Sequence, residues 1–250
     1  MKIRFLAIHP LIGTKNKPAT LRFMQRSPYY WWWAYLRRNN DYLTTCDNGG
    51  VGKLARLYED FGDVRSEAFR DWWGGSQQRG AYLFGEKAAE FRLLRLANFE
   101  DWRPEWGETS EVAILAINMQ IGRRKLQSDF ATFLAKNHIS HQGRPAMKSV
   151  KSTARYPLHR NYTVENLRRM LAAYDAWKEN QNRPASQRLT QWQLGESIKL
   201  VPDAMTATND LSYRDKRNVM SATFNKFVNK AKIIIANTAN GRFPDSTTKA

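Results

Sequence analysis

The most constraining feature of this sequence is an uninterrupted aromatic run that begins directly after Pro28. Residues 29–36 read Tyr-Tyr-Trp-Trp-Trp-Ala-Tyr-Leu and contain no polar alternation. Exposed aromatic rings beside cations bind single-stranded nucleic acid, and Arg26, Arg37 and Arg38 flank the run. Three adjacent tryptophans on a surface would nevertheless make a protein poorly soluble. The run therefore predicts a buried helix within a hydrophobic core.

The composition supports a folded protein and limits the compartment in which it would act. Aromatic residues make up 12% of the 250 residues, which excludes a mostly disordered chain. Cys46 is the single cysteine, so no internal disulfide indicates secretion. Arg4, His9 and Pro10 interrupt the apolar N-terminal residues, unlike a signal peptide, and no later apolar stretch is long enough to span a membrane. We therefore expect a cytoplasmic protein without a membrane partner.

The charge of the chain is strongly positive and unevenly distributed. Lys and Arg number 40 against 23 Asp and Glu, which gives a formal net charge of +17 at pH 7. Residues 111–250 carry 23 basic and 10 acidic side chains, whereas residues 1–110 carry 17 basic and 13 acidic ones. Such an excess in the second half attracts polyanions. Nucleic acid is the most common polyanion in a cell, but an acidic protein or an acidic membrane surface would satisfy the same charge.

Hydrophobic patterning in the first half predicts a mixed domain with a short sheet. Glu111–Met119 is short, apolar and bounded by turn-like residues, which is typical of a strand. Lys2–Ile8 and Ala81–Phe84 are predicted as further strands, and Phe91–Phe99 fits either a strand or a helix. The sequence therefore predicts an α+β fold in which residues 1–137 form a mixed, aromatic-rich α/β domain.

The second half is predicted to contain a basic linker and a helical domain. A helix over 122–137 precedes residues 138–161, which carry no acid and no apolar periodicity and are typical of an exposed linker. Cap residues and helical spacing predict a mainly helical, basic domain over 162–250, with a long last helix at 213–238. The last two helices could form a helix-turn-helix pair, although Val201–Leu211 is longer than the usual turn of about three to four residues.

The last predicted helix carries a candidate nucleic-acid-binding face. Opposite its apolar side lie Asn218, Asn225, Lys226, Asn229 and Lys232. No acid occurs between Asp215 and Asp245, whereas an ordinary solvated face mixes both signs. Lysine neutralises phosphate, and asparagine can pair bidentately with an adenine edge. The pattern fits either a DNA-binding helix or a solvated face in a basic protein.

Two further basic segments extend the candidate surface. They are Arg123, Arg124 and Lys125 after the predicted strand, and Lys148, Lys151 and Arg155 in the predicted linker. Helix N-termini attract anions, and cations placed there oppose the helix dipole, which favours a bound phosphate at the first segment. If the helix begins later, these three cations are ordinary loop residues.

A dense acid cluster is the alternative candidate for chemistry. Its members are Glu59, Asp60, Asp63, Glu67 and Asp71. A metal-dependent nuclease needs two or three convergent carboxylates. Here the acids alternate with apolar residues at helical spacing, which favours solvated helix faces. We therefore expect no metal, no cofactor and no catalytic residue.

The sequence as a whole predicts a non-enzymatic nucleic-acid-binding protein. Duplex DNA is the predicted ligand, because the basic face of the last helix suits it. A regulatory or accessory role in a nucleoprotein complex is the corresponding function. Two alternatives stay open, namely a metal-dependent enzyme acting on nucleic acid and a structural subunit that binds an acidic protein or a second copy of the chain.

Overall fold

In the residues that it describes, the computed structural model of the chain is mainly helical, with 57% helix and 3% strand. It describes residues 5–14, 16–65, 68–75, 77–86, 95–96, 98, 101, 103–104, 113–137, 152–159, 163–205 and 212–248. Within these residues the α-helices are α1 (Leu21–Met24), α2 (Pro28–Leu36), α3 (Asn40–Asp47), α4 (Ala55–Phe61), α5 (Phe69–Gly74), α6 (Arg79–Phe84), α7 (Arg123–Asn137), α8 (Val164–Gln181), α9 (Gln191–Ser197) and α10 (Tyr213–Thr238). None of these described helices combines the length and the apolar character that a membrane crossing requires.

The predicted α+β fold is wrong, because the described residues form no sheet. Ala81–Phe84 belongs to α6, whose apolar side chains are buried. Residues 113–119 pair with no described strand, and residues 5–8 form none either. The remaining residues of the predicted strands, together with most of Phe91–Phe99, lie outside the described residues. The periodicity of a short apolar run does not distinguish a strand from a buried helix. Packing with distant residues therefore decides which of the two forms.

The chain forms two compact units that do not follow the order of the sequence. One unit, called the helical body below, contains residues 7–85 and 154–250. The second unit contains residues 1–6 and 86–153. The helical body thus combines the aromatic run of the first half with the long basic helix of the second half.

The core of the helical body is built around α2. Every residue from Tyr29 to Leu36 is buried, as the aromatic run predicts. The Ser27 hydroxyl accepts a hydrogen bond from the Tyr29 N–H, and Pro28 occupies the first turn, where its missing donor is not needed. The Trp32 ring packs against rings from distant segments, namely Phe61, Phe84, Tyr156 and Phe243. A helix that is apolar on all sides belongs at the centre of a core, and α2 lies there.

Polar contacts near the end of α2 join it to α8 and α10. The Tyr35 hydroxyl donates to a backbone carbonyl of α8 at 3.0 Å. Arg38 donates two hydrogen bonds to the Asp175 carboxylate, at 3.0 and 2.7 Å. Asn39 uses both ends of its amide, because its oxygen caps α3 and its nitrogen donates to the Ile235 carbonyl at 3.0 Å. These contacts hold helices from both halves of the chain in one body.

The last three helices pack around a second apolar cluster, which fixes the orientation of α10. Its buried members are Ala173, Leu194, Leu200, Ala204, Met220, Phe224 and Val228. Gly195 lets α9 approach α10 closely, since a Cβ at this position would lie 2.6 Å from Cγ of Met220. The bounds of α10 confirm the predicted helix at 213–238. Its apolar side faces the cluster and its polar side faces solvent.

The connection between α9 and α10 is long. It runs from residue 198 to residue 212 and contains a 3₁₀ turn at Pro202–Ala204. Residues 206–211 of this connection lie outside the described residues. A helix-turn-helix pair has a turn of about three to four residues, so α9 and α10 share with such a pair only their mutual packing.

In the second unit the structure describes α7 and the segment before it. The helix spans Arg123–Asn137, which confirms the helix predicted over 122–137. None of its residues is buried, and Phe130 and Leu134 on its apolar face are 38% and 37% exposed. The apolar face therefore meets no core among the described residues.

Candidate nucleic-acid interface

One side of α10 forms an exposed polar stripe on the helical body. Its members, called the exposed α10 stripe below, are Asn218, Ala222, Asn225, Lys226, Asn229, Lys232 and Ala236. The opposite side carries Met220, Phe224 and Val228, which are at most 3% exposed. Because this buried side fixes the helix, the stripe faces solvent along roughly 27 Å of its length. The five residues predicted for this face are all exposed.

The asparagines of the stripe keep most of their hydrogen-bonding capacity. No described residue bonds to the side chain of Asn218 or Asn229. The Asn225 amide nitrogen donates to Oε1 of Gln191 in α9 at 2.7 Å, which leaves its second N–H and its oxygen free. A free donor and a free acceptor on one amide match N7 and N6 of adenine. Each asparagine of the stripe can therefore read a base edge.

The two lysines of the stripe differ in their surroundings. The Lys226 ammonium group forms no ion pair with a described residue. The Lys232 ammonium group lies 3.6 Å from the centroid of the Trp177 ring in α8, which is a cation–π contact. Lys226 is thus the freer cation for a phosphate, whereas Lys232 also holds α10 against α8.

Two features of this face were missed by the sequence reasoning. Ala222 and Ala236 are exposed on the stripe, so short side chains leave room for a ligand close to the helix backbone. Arg214 is exposed and has no bonding partner among the described residues. It lies four residues before Asn218 and therefore on the same face of α10, which is the signal that could have identified it.

The stripe carries little negative charge. Asp215, in the first turn, is the one carboxylate of α10, and there it interacts favourably with the helix dipole. The next acid in the sequence is Asp245, which is 1% exposed and accepts a hydrogen bond from Arg242. The electrostatic potential over most of the helix is therefore set by its cations.

A further cation lies beside the stripe, where α9 packs on α10. The guanidinium carbon of Arg217 is 3.9 Å from the centroid of the Trp192 ring and 5.0 Å from that of Tyr213. Its Nε is buried and has no hydrogen-bond partner in the described part of the chain. Arg217 was not among the predicted site residues, because only the packing of two helices brings it to Trp192.

Arg155, predicted as a binding residue of the linker, is engaged by the helical body. Its Nε donates to the Asp60 carboxylate at 2.9 Å, and the Tyr156 hydroxyl donates to the same carboxylate at 2.6 Å. Burial and this hydrogen bond raise the pKa of Tyr156. Lys148 and Lys151, also predicted from the linker, lie outside the described residues, as do most residues of that segment.

The basic segment predicted after the first strand opens α7. Arg123, Arg124 and Lys125 are exposed in its first turn, which contains no acid. No described residue forms an ion pair with them. They stay a predicted anion-binding segment of the second unit.

The acid cluster has other partners in the described part of the chain. No three His, Cys, Asp or Glu side chains among the described residues are placed to hold a metal ion. Asp60 is 7% exposed and bonded as above. Asp63 accepts hydrogen bonds from Arg65, which lower its pKa. Glu67 lies outside the described residues.

The exposed α10 stripe and Arg217 together offer two kinds of polar group. The cations can donate to phosphate, and the free amides can both donate to and accept from base edges. No protein-family model matches this chain, and no curated protein or solved structure matches it either.

Proposed function

We propose that this chain binds duplex DNA through the exposed α10 stripe, as a cytoplasmic regulatory or accessory component of a nucleoprotein complex. The observation that carries the proposal is the chemistry of one helix face. Asn218, Asn225 and Asn229 lie there with amide donors and acceptors that no described residue occupies, apart from the one N–H that Asn225 donates to Gln191, and Lys226 forms no ion pair with a described residue. A face of this kind combines contacts that neutralise phosphate with contacts that distinguish bases.

The dimensions of the stripe suit the major groove of B-form DNA. This groove is about 12 Å wide and admits an α-helix. Asn218 and Asn229 are separated by roughly 16 Å along the helix axis, at about 1.5 Å per residue. Exposed Ala222 adds only a short side chain between Asn218 and Asn225, and exposed Ala236 does the same beyond Asn229. The amides can therefore reach base edges without long side chains holding the helix away.

Gln191 of α9 gives one of these amides a defined orientation. Its Oε1 accepts from the Asn225 amide nitrogen at 2.7 Å, which restrains the rotation of that amide. The remaining N–H and the oxygen of Asn225 point away from this bond and suit an adenine edge. Restraint of this kind lowers the entropy lost on binding, so Gln191 acts as a positioning residue.

Duplex rather than single-stranded nucleic acid is favoured by the burial of the aromatic run. Single strands are bound by stacking their bases on exposed rings. Tyr29 to Leu36 are buried in the core and offer no such surface. Among the aromatic rings on or beside α10, Trp177 and Trp192 are half-buried and in contact with cations of the protein, and Tyr213 in the first turn is exposed but in contact with Arg217.

Replacement of the stripe asparagines tests base recognition. In selection from a random duplex library, we expect the parent to enrich sites containing A·T pairs. The variant with Asn218→Ala, Asn225→Ala and Asn229→Ala should lose that preference, since each good bidentate contact discriminates by about 1–3 kcal/mol. Lys226→Ala should instead weaken all duplexes and reduce the slope of log K against log salt by about 0.9.

A matched control removes one positive charge elsewhere. Lys53 is exposed and lies 3.8 Å from Asp41, so Lys53→Ala should change the salt slope less than Lys226→Ala does. Two results would overturn the proposal. One is a parent protein that fails to bind duplex DNA at ~50 mM salt. The other is a clear preference of the parent for single strands over duplexes.

A further inference from the structure

We infer that Arg217 binds one backbone phosphate of the DNA, as an anchor beside the exposed α10 stripe. The inference rests on the proposed function and names a contact that the stripe itself does not supply. It follows from the geometry of one stacked guanidinium group, from its lack of a partner and from its place next to the stripe.

The guanidinium group of Arg217 is held by aromatic rings. Trp192 lies on it at 3.9 Å and Tyr213 at 5.0 Å, both measured from the guanidinium carbon to the ring centroid. The Nε is buried and has no hydrogen-bond partner among the described residues. The two terminal nitrogens are not enclosed, and no described residue accepts a hydrogen bond from them. The protein therefore fixes the plane of this cation and leaves its outer N–H groups unused.

Several other arginines of the helical body are held in place by a carboxylate partner. The pairs are Arg38 with Asp175, Arg168 with Glu165, Arg183 with Glu179, and Arg242 with Asp245. Arg217 forms no such pair with a described residue. A planar guanidinium with free outer donors matches the oxygens of a phosphate, and stacking removes most of the entropy cost of fixing the side chain.

The position of Arg217 relative to the stripe fits a phosphate rather than a base. Arg217 directly precedes Asn218 and lies about 100° further round α10, on the side of α9. Its ring partner Trp192 follows Gln191, which orients Asn225 of the stripe. When a helix lies in a groove, the backbone phosphates border its reading face. A contact at this place positions the helix on the duplex without selecting bases.

Substitution of Arg217 in the full-length protein tests the anchor. Arg217→Met removes the charge and keeps a long side chain, and Arg217→Lys keeps the charge but removes the planar fork. We expect Arg217→Met to lower the salt slope by about 0.9 and to weaken two duplexes of unrelated sequence equally, by about tenfold at 0.1 M salt. Arg217→Lys should fall between this variant and the parent.

Arg37 provides the matched control, since its guanidinium carbon lies 4.5 Å from the centroid of the Trp33 ring in the same helical body. Arg37→Met removes an equal charge and a similar cation–π contact and should bind DNA like the parent. Circular dichroism melting of each variant shows whether the fold is retained. Parent-like affinity and slope in Arg217→Met would overturn the anchor while the proposed function stands. A parent that binds no duplex would overturn both.

Discussion

Lys226 and Lys232 lie on one face of α10 and carry the same charge, yet their ammonium groups have different neighbours. The Lys232 group is 3.6 Å from the Trp177 ring centroid, whereas Lys226 pairs with no described residue. The sequence pattern treats the two lysines as equivalent phosphate contacts. The structure divides them into one cation that is available for a ligand and one that also stabilises the fold.

This difference predicts unequal effects on stability. Lys232→Ala should lower the free energy of unfolding by about 0.5–1 kcal/mol, because a cation–π contact at a partly exposed site is lost. Lys226→Ala should change it by less than about 0.5 kcal/mol, as exposed substitutions usually do. Urea titrations followed by circular dichroism measure both values. In a Trp177→Leu background the two substitutions should become equal, and a persisting difference would contradict the contact.

At the scale of elements, the packing of α9 on α10 is the feature that places the stripe. Gly195 makes this approach possible, because a side chain there would overlap Met220, which is 1% exposed. Gly195→Ala should destabilise the protein by about 1–3 kcal/mol, the usual effect of overpacking a core. Thermal melting checks this, with Gly122→Ala as the control, since nothing lies within 4 Å of a Cβ at that position. Unchanged stability in Gly195→Ala would show that Met220 moves aside freely.

The helices of the second half were predictable from local signals, and the contacts of the site were not. Thr163 caps α8, Thr190 caps α9, and the apolar spacing of α10 gives its bounds, because each signal lies within one or two turns of chain. The predicted strands failed where an apolar run such as Ala81–Phe84 was too short to show a period. Arg217 was missed for another reason. The stacked position of its guanidinium group depends on Trp192, a residue of a different helix.

At the scale of the whole molecule, the helical body joins segments that the sequence assigns to separate domains. α2 from the first half packs with α8 and α10. Tyr35, Arg38 and Asn39 donate hydrogen bonds to residues of these two helices. The faces of α8 and α10 that meet α2 would be bare in an isolated C-terminal domain. Whether residues 162–250 fold on their own therefore tests the domain organisation.

Expression of residues 162–250 alone tests whether the predicted C-terminal domain is stable by itself. We expect this fragment to lack a cooperative thermal transition, because it has lost the aromatic helix at the centre of the core. Circular dichroism and calorimetry of the fragment, beside the full chain, provide the measurement. A fragment that melts cooperatively at a temperature near that of the full chain would instead support the domain boundary predicted from the sequence at 138–161.

The contact between the end of α2 and α10 also determines how late in translation the core of the protein can be completed. Asn39 donates to the carbonyl of Ile235, a residue 196 positions later in the chain. At about 5–20 residues per second, a ribosome needs roughly 10–40 s to add that length. During this interval α2 has left the ribosome and can already contact Phe61 of α4 and Phe84 of α6, whereas α10 and Phe243, which also pack against it, have not yet been translated. A nascent chain that stalls before α10 therefore leaves part of its most aromatic helix uncovered, and we expect chaperones to bind it there.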